Sequence, residues 1–97
     1  MLELKEIKTF LRIDGDEDDR LLVSLSLTAR ELVEETLRQR LDEFETIPET
    51  VRQAMLIVIA TLYEERQVAK TGKDSVGMTN ILELVRRMLF AYRKETF

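Results

Sequence analysis

An all-α domain of four helices, with an apolar third helix at its centre, is what this sequence predicts, and three observations carry that expectation. Only three Gly and one Pro punctuate 97 residues, too few for the turns that sheets and hairpins need. Apolar residues recur at three- and four-residue spacing along four separate segments. The chain is 44% hydrophobic and 35% charged, which suits buried stripes backed by solvated helix faces rather than a disordered tail. The length sets a single domain, residues 1–97, with a modest core.

The first helix is expected over Glu3 to Leu11, with Leu4, Ile7 and Leu11 on one stripe and Phe10 widening it. It should stop at Ile13-Asp14-Gly15, where Gly15 can take the left-handed conformation. Asp16-Glu17-Asp18-Asp19 then opens the second helix, because acids cap orphan N–H groups and meet the positive end of the helix dipole. That helix runs to about Arg38 with Leu22, Leu25, Ala29, Leu32, Val33 and Thr36 inward. After a connector over Gln39 to Glu45, Thr46-Ile47-Pro48-Glu49 matches a capping box for a third helix reaching Gln67. Its middle, Ala54 to Tyr63, is apolar on nearly every side, as in a helix surrounded by others, with Met55, Val58 and Leu62 inward. Val68 to Met78 reads as a loop, and the last helix starts near Thr79 or Asn80, with Glu83 placed to complete a cap. Ile81, Leu84, Val85, Met88 and Tyr92 should face inward, with Phe90 on the opposite side.

Composition removes several chemistries. There is no Cys and no His, so there is no disulfide framework, no thiolate site, no imidazole base and no imidazole metal ligand. The residues Met1 to Phe10 mix acids and bases, which is unlike a signal peptide, and the longest apolar run is half of a bilayer crossing, so a cytosolic protein without a membrane span is expected. A net charge of -4 is the wrong sign for a broad nucleic-acid surface.

Three motifs resemble chemistry and fall short. Asp14, Asp16 and Asp18 alternate as in a calcium loop, but Asp19 stands where the loop needs Gly and Leu25 where it needs Glu. Lys70-Thr71-Gly72-Lys73-Asp74-Ser75 holds the Gly-Lys pair of a phosphate loop without its earlier Gly, its following hydroxyl or its strand. Glu31 and Glu34 resemble half of the magnesium site of all-helical nucleotide pyrophosphohydrolases. No second pair completes it, since Glu64 and Glu65 are followed three residues on by Gln67 and Val68, and Glu83 by Arg86. No metal, no cofactor and no catalytic residue is expected.

What remains points to association. Val23, Leu27, Phe90 and Phe97 lie off the inward faces, where they either pack internally or contact another subunit. Five acids lie between Asp14 and Asp19, while Arg86, Arg87, Arg93 and Lys94 crowd the last helix. Either each cluster complements its own helix terminus, or the two meet head to tail between copies and generate a ring. The candidate interface is therefore Val23, Leu27, Asp18, Asp19, Arg86, Arg87, Phe90, Arg93 and Lys94.

An ordered set of short segments adds a resemblance. Leu11-Arg12-Ile13-Asp14 precedes the acids, and Ala29-Arg30-Glu31 sits in the second helix. Ile47-Pro48-Glu49 opens an apolar helix ending Leu62-Tyr63-Glu64-Glu65-Arg66, and Leu89-x-x-Tyr92-Arg93 closes the chain. Across almost its whole length the sequence resembles the small head–tail connector, or adaptor, proteins of long-tailed bacteriophages and prophages, also labelled DNA-packaging proteins. The resemblance implies a structural virion protein that forms a ring, twelvefold in the virion, assembled in the host cytoplasm. The ring docks on the portal protein, meets a tail-side connector or stopper protein, and lets DNA through its channel without sequence-specific binding. Lys70, Gly72, Lys73 and Gly77 would then form a mobile or channel-facing loop. Two departures matter. The family often has Gly where this chain has Leu37-Arg38-Gln39-Arg40, so the second helix should end differently, and Ala91 replaces a common Pro, so the last helix should run further. The rival classes are a pyrophosphohydrolase-like enzyme and a small helical regulator or interaction module.

Overall fold

The computed structural model describes residues 2–71 and 77–93, with side chains over 2–66 and 80–93. Four helices follow in order: α1 Leu4–Leu11, α2 Asp19–Leu37, α3 Glu49–Thr71 and α4 Gly77–Leu89. Single 3₁₀ turns occupy Leu41–Glu43 and Phe90–Tyr92. No strand occurs among the described residues, and the particle is elongated, 45 × 28 × 17 Å.

α3 lies at the centre. It packs chiefly against α4 and α2, and also against α1. Val51, Ala54, Met55, Val58 and Ile59 are buried to within 1%, and Leu56 and Thr61 extend the buried surface around the helix. The Thr61 hydroxyl reaches such a position because it donates to the Ile57 carbonyl at 2.8 Å. Leu62 is only partly buried and flanks this core. From α2 come Leu22, Ser26, Ala29, Val33 and Leu37, a stripe one step around from the expected one. Leu25, Leu32 and Thr36 flank it. Ser26 is tolerated inside because its hydroxyl donates to the Val23 carbonyl at 2.7 Å.

Helix ends are where the expectations fail most. α1 stops at Arg12, not at Gly15: Arg12 is left-handed, with φ 59° and ψ 44°, and Gly15 is not left-handed. The Arg12 N–H donates to the Thr9 carbonyl at 3.2 Å and the Ile13 N–H to that of Lys8 at 2.9 Å, which closes the last turn in a Schellman pattern. This places Ile13 against the core. α2 also ends on a left-handed residue, Arg38 at φ 59°, whose N–H donates to the Glu35 carbonyl. Arg38 thus adopts a conformation that Gly takes without strain. A left-handed Arg costs about 1–2 kcal/mol that Gly avoids, partly offset by the greater freedom of Gly when unfolded. Arg38→Gly is therefore expected to stabilise the domain by up to about 1 kcal/mol, a thermal-melt rise of about 4–8 °C at this size. A melt unchanged or lowered would show that the Arg38 side chain outweighs its strained backbone.

α3 begins at Glu49, and the Pro48 carbonyl accepts its first bond from Arg52 at 3.1 Å. Thr46 therefore lies too early to be the cap, and Glu49 does not reach back to it. The Glu49 carboxylate instead accepts from Arg52 Nε and Gln53 Nε2, each at 3.0 Å. The expected Val68–Met78 loop is mostly helix at its two ends. Val68-Ala69-Lys70-Thr71 offers no breaker, so α3 continues to the residue before Gly72. α4 starts earlier than expected, at Gly77. Glu83 is thereby left too far inside to cap, and it pairs with Arg87 at 3.4 Å. At the far end α4 does not run on through Ala91. It tightens into the 3₁₀ turn and becomes extended at Arg93, φ -67° and ψ 130°.

Candidate subunit interface

The acidic segment is built against α1. Lys8, on the last turn of α1, contacts Asp16 at 2.9 Å and Asp19 at 3.0 Å. These contacts raise the Lys8 pKa, and the Lys8 hydrogen bond lowers that of the Asp16 carboxyl. Asp18 sits at the N-cap of α2 but makes no side-chain cap. Its Oδ2 accepts from the Tyr63 hydroxyl, forty-five residues away on α3, at 2.6 Å. Asp18 and Asp19 therefore join α2 to α3 and α1 rather than cap their own helix by side-chain hydrogen bonds. Nothing local in the sequence marks Lys8 or Tyr63 for this, because tertiary packing alone brings them there.

Alternating Asp14, Asp16 and Asp18 do not converge into a cation site. Among the described residues no group of three or more Asp or Glu could hold a metal ion. The Glu31–Glu34 pair is likewise divided. Glu31 is exposed, whereas Glu34 Oε2 accepts from the Leu41 N–H at 2.7 Å and from Arg30 Nε at 3.4 Å. These two roles hold the connector after α2 against the helix it leaves. The Leu41 N–H, and further Arg30, hold the Glu34 carboxyl below the usual carboxylate range against the opposing effect of burial.

A carboxyl with a lowered folded pKa stabilises fully above the unfolded pKa and loses that contribution as pH falls through the folded one. Glu34→Ala is expected to cost about 2 kcal/mol near neutral pH, since it removes a charged acceptor from a backbone N–H. Its stability should also fall less steeply on acidification than that of the parent. Denaturant titrations at several pH values measure both effects. Parallel acid limbs for the two proteins would refute the role given to Glu34.

The basic residues lie by the other end of α2, roughly 27 Å along its axis from Asp19. There α4 and the C-terminal half of α2 enclose a groove of about 670 Å³. Leu32, Leu82, Val85 and Leu89 give it apolar walls, and Phe90 stands beside them. Arg38, Arg86 and Arg93 line it as well, with Glu35 the sole acid. The Nε of Arg93 is buried and meets no acceptor among the described residues. Gln39 donates to the Tyr92 carbonyl at 2.9 Å and ties the chain after α4 to the end of α2.

The expected interface residues thus divide among several places. Arg86, Phe90 and Arg93 share the groove, and Arg87 lies outside it, paired with Glu83. Val23 and Leu27 stand on α2, 47% and 50% exposed, and Phe90 is 68% exposed. Leu84, expected inward, is 43% exposed, because α4 buries only the line through Val85 and Leu89. The sequence reading missed Leu89 as core. Its spacing of four from Val85 was the available signal. Of the expected loop, Lys70 and Gly77 fall in helical backbone, while Gly72 and Lys73 lie outside the described residues, as do Lys94 and Phe97.

Compared with protein families, the chain matches the model described as phage gp6-like head-tail connector protein over residues 1–93. No curated protein and no solved structure matches the chain. No helix among the described residues is long and apolar enough to cross a membrane.

Proposed function

The chain belongs to the phage gp6-like head-tail connector family, and from that premise we propose that it is a ring-forming adaptor between the portal and the tail. Membership makes it a structural connector at the head–tail junction of the virion. The finer reading is that copies assemble in the host cytoplasm into a ring, twelve in the virion. The ring docks on the portal protein, continues its channel toward a tail-side connector or stopper, and completes the head after packaging. The observation that carries this is the family match over residues 1–93, which spans all four helices.

Two features support it. Half-exposed Val23 and Leu27 lie on one helix, while Phe90 and an arginine-lined groove lie at another site on the same small domain. Surfaces of different kind on one subunit are what a head-to-tail contact uses. A net charge of -4 would also keep passing DNA from adhering to a channel wall. Within this reading Val23, Leu27 and Phe90 supply apolar contact, and Arg86, Arg87 and Arg93 set register. Of the acidic segment, Asp14 and Glu17 remain for a neighbour, since Asp18 and Asp19 are engaged inside the subunit.

Native mass measured alone and after mixing with the cognate portal ring tests the proposal. A discrete multimer bound to the portal is expected. A strict monomer that ignores the portal would overturn it. So would magnesium-dependent pyrophosphate release from a nucleoside triphosphate that Glu31→Gln abolishes, which would favour the enzyme class.

A further inference from the structure

The groove between α2 and α4 combines features that a monomer does not use. Its walls are apolar, and three arginines line it against one glutamate. An excess of guanidinium groups beside apolar walls favours a carboxylate brought from outside, which gains a charge-assisted bond at the groove's edge. The fitting occupant is therefore an apolar ridge that carries a single acid.

The outer face of α2 has that form. Val23 and Leu27 are four residues apart, hence stacked on one helix face, and both are about half exposed. One turn on is Glu31, exposed and with no ion pair among the described residues. Glu34, the next acid along that side, is engaged by the Leu41 N–H and Arg30. Leu27 and Leu32, five residues apart, point roughly 140° apart around the helix. Val23 and Leu27 are thus on a different side of α2 from the groove's Leu32 wall, while Glu31 stands at the groove's edge, one turn before Glu35.

We propose that the groove of one subunit receives the outer face of α2 from a second copy, with Val23 and Leu27 on the apolar walls and Glu31 against Arg86 and Arg93. This rests on the reading that copies self-associate, and it adds which surface meets which. The contact is a helix laid in a groove, and because the two surfaces differ it propagates from copy to copy. A polyanion such as DNA fits the groove less well, since Glu35 faces it and half the lining is apolar.

The chain has no cysteine, so introduced thiols report contacts without background. Leu27→Cys and Phe90→Cys are prepared separately in the full chain, and circular dichroism confirms that each is helical; both sites are exposed enough to tolerate the change. Mixing the two under mild oxidation should give a crosslinked pair that neither variant forms alone. The chain with both substitutions should give a ladder of multimers. Adding Glu31→Arg to the Leu27→Cys partner should lower the crosslink yield about tenfold, and Arg86→Glu in the Phe90→Cys partner should restore it. A multimer of full mass without the mixed crosslink would overturn the groove assignment and leave ring assembly standing. Crosslinking of Leu27→Cys to itself would show a two-fold contact through like faces, which also overturns it. Absence of any self-association overturns both, and protection of Phe90→Cys from thiol reagents by duplex DNA alone would make the groove a nucleic-acid site instead.

Discussion

Val58→Asp is expected to unfold the domain. Val58 is fully buried in the middle of α3, the helix that the other three pack around, and it also underlies the groove wall. A carboxylate there loses its water and gains no partner, so it either stays charged at a cost of several kcal/mol or is protonated at a similar cost. A domain of this size is stabilised by about 5–15 kcal/mol at most, with small cores at the low end. The substitution therefore removes most or all of the stability. Far-UV circular dichroism at neutral pH should show the helical signal lost. Val58→Ala, which leaves a small cavity, should stay folded at a cost of about 2 kcal/mol. A helical, cooperatively melting Val58→Asp protein would show that α3 is not the centre of the core.

Arg86→Glu with Arg87→Glu is expected to weaken self-association by about 10- to 100-fold while leaving the subunit folded, on the reading that charge sets register between copies. Within the subunit little is lost. Arg86 is exposed and has no ion pair among the described residues, and the Arg87–Glu83 contact is an exposed pair at 3.4 Å, worth a few tenths of a kcal/mol. Acids near the C-terminus of α4 add a similar small cost through the helix dipole. Between subunits the change is larger, because an attraction becomes a repulsion at a partly desolvated contact. Sedimentation at low and physiological salt reads both effects. The parent should dissociate as salt rises, since exposed charges are screened over ~8 Å at physiological ionic strength, and the double variant should show little salt dependence. Compensating reversals do not belong at Asp18 or Asp19, because those would also break the Tyr63 and Lys8 contacts. If the double variant assembles like the parent at low salt, the arginines play no part in register.

The sequence by itself determined the helical class, the order of the four helices and the central place of α3. It also put Val23, Leu27 and Phe90 off the inward faces, while their exposure was decided by the packing. Each of the sequence's own assignments follows from periodicity, which is local and repeats along a segment, so errors in single residues average out. The family was legible for a related reason: short segments in a fixed order survive small shifts of any one boundary. Helix ends were not legible. Gly15 was the natural stop for α1, yet a left-handed Arg12 ends the helix three residues earlier and places Ile13 against the core. The capping box at Thr46 failed because α3 begins only at Glu49, whose carboxylate accepts from Arg52 and Gln53 instead. Only the tertiary structure decided the roles of the charges. Lys8 with Asp16 and Asp19, Tyr63 with Asp18, and Gln39 with the Tyr92 carbonyl each join different elements, the last two across forty-five and fifty-three residues. The arginine-lined groove exists only once α4 lies along α2. A sequence shows which charges are present, but a charge acts through its distance to others, and that distance is set by how the apolar faces pack.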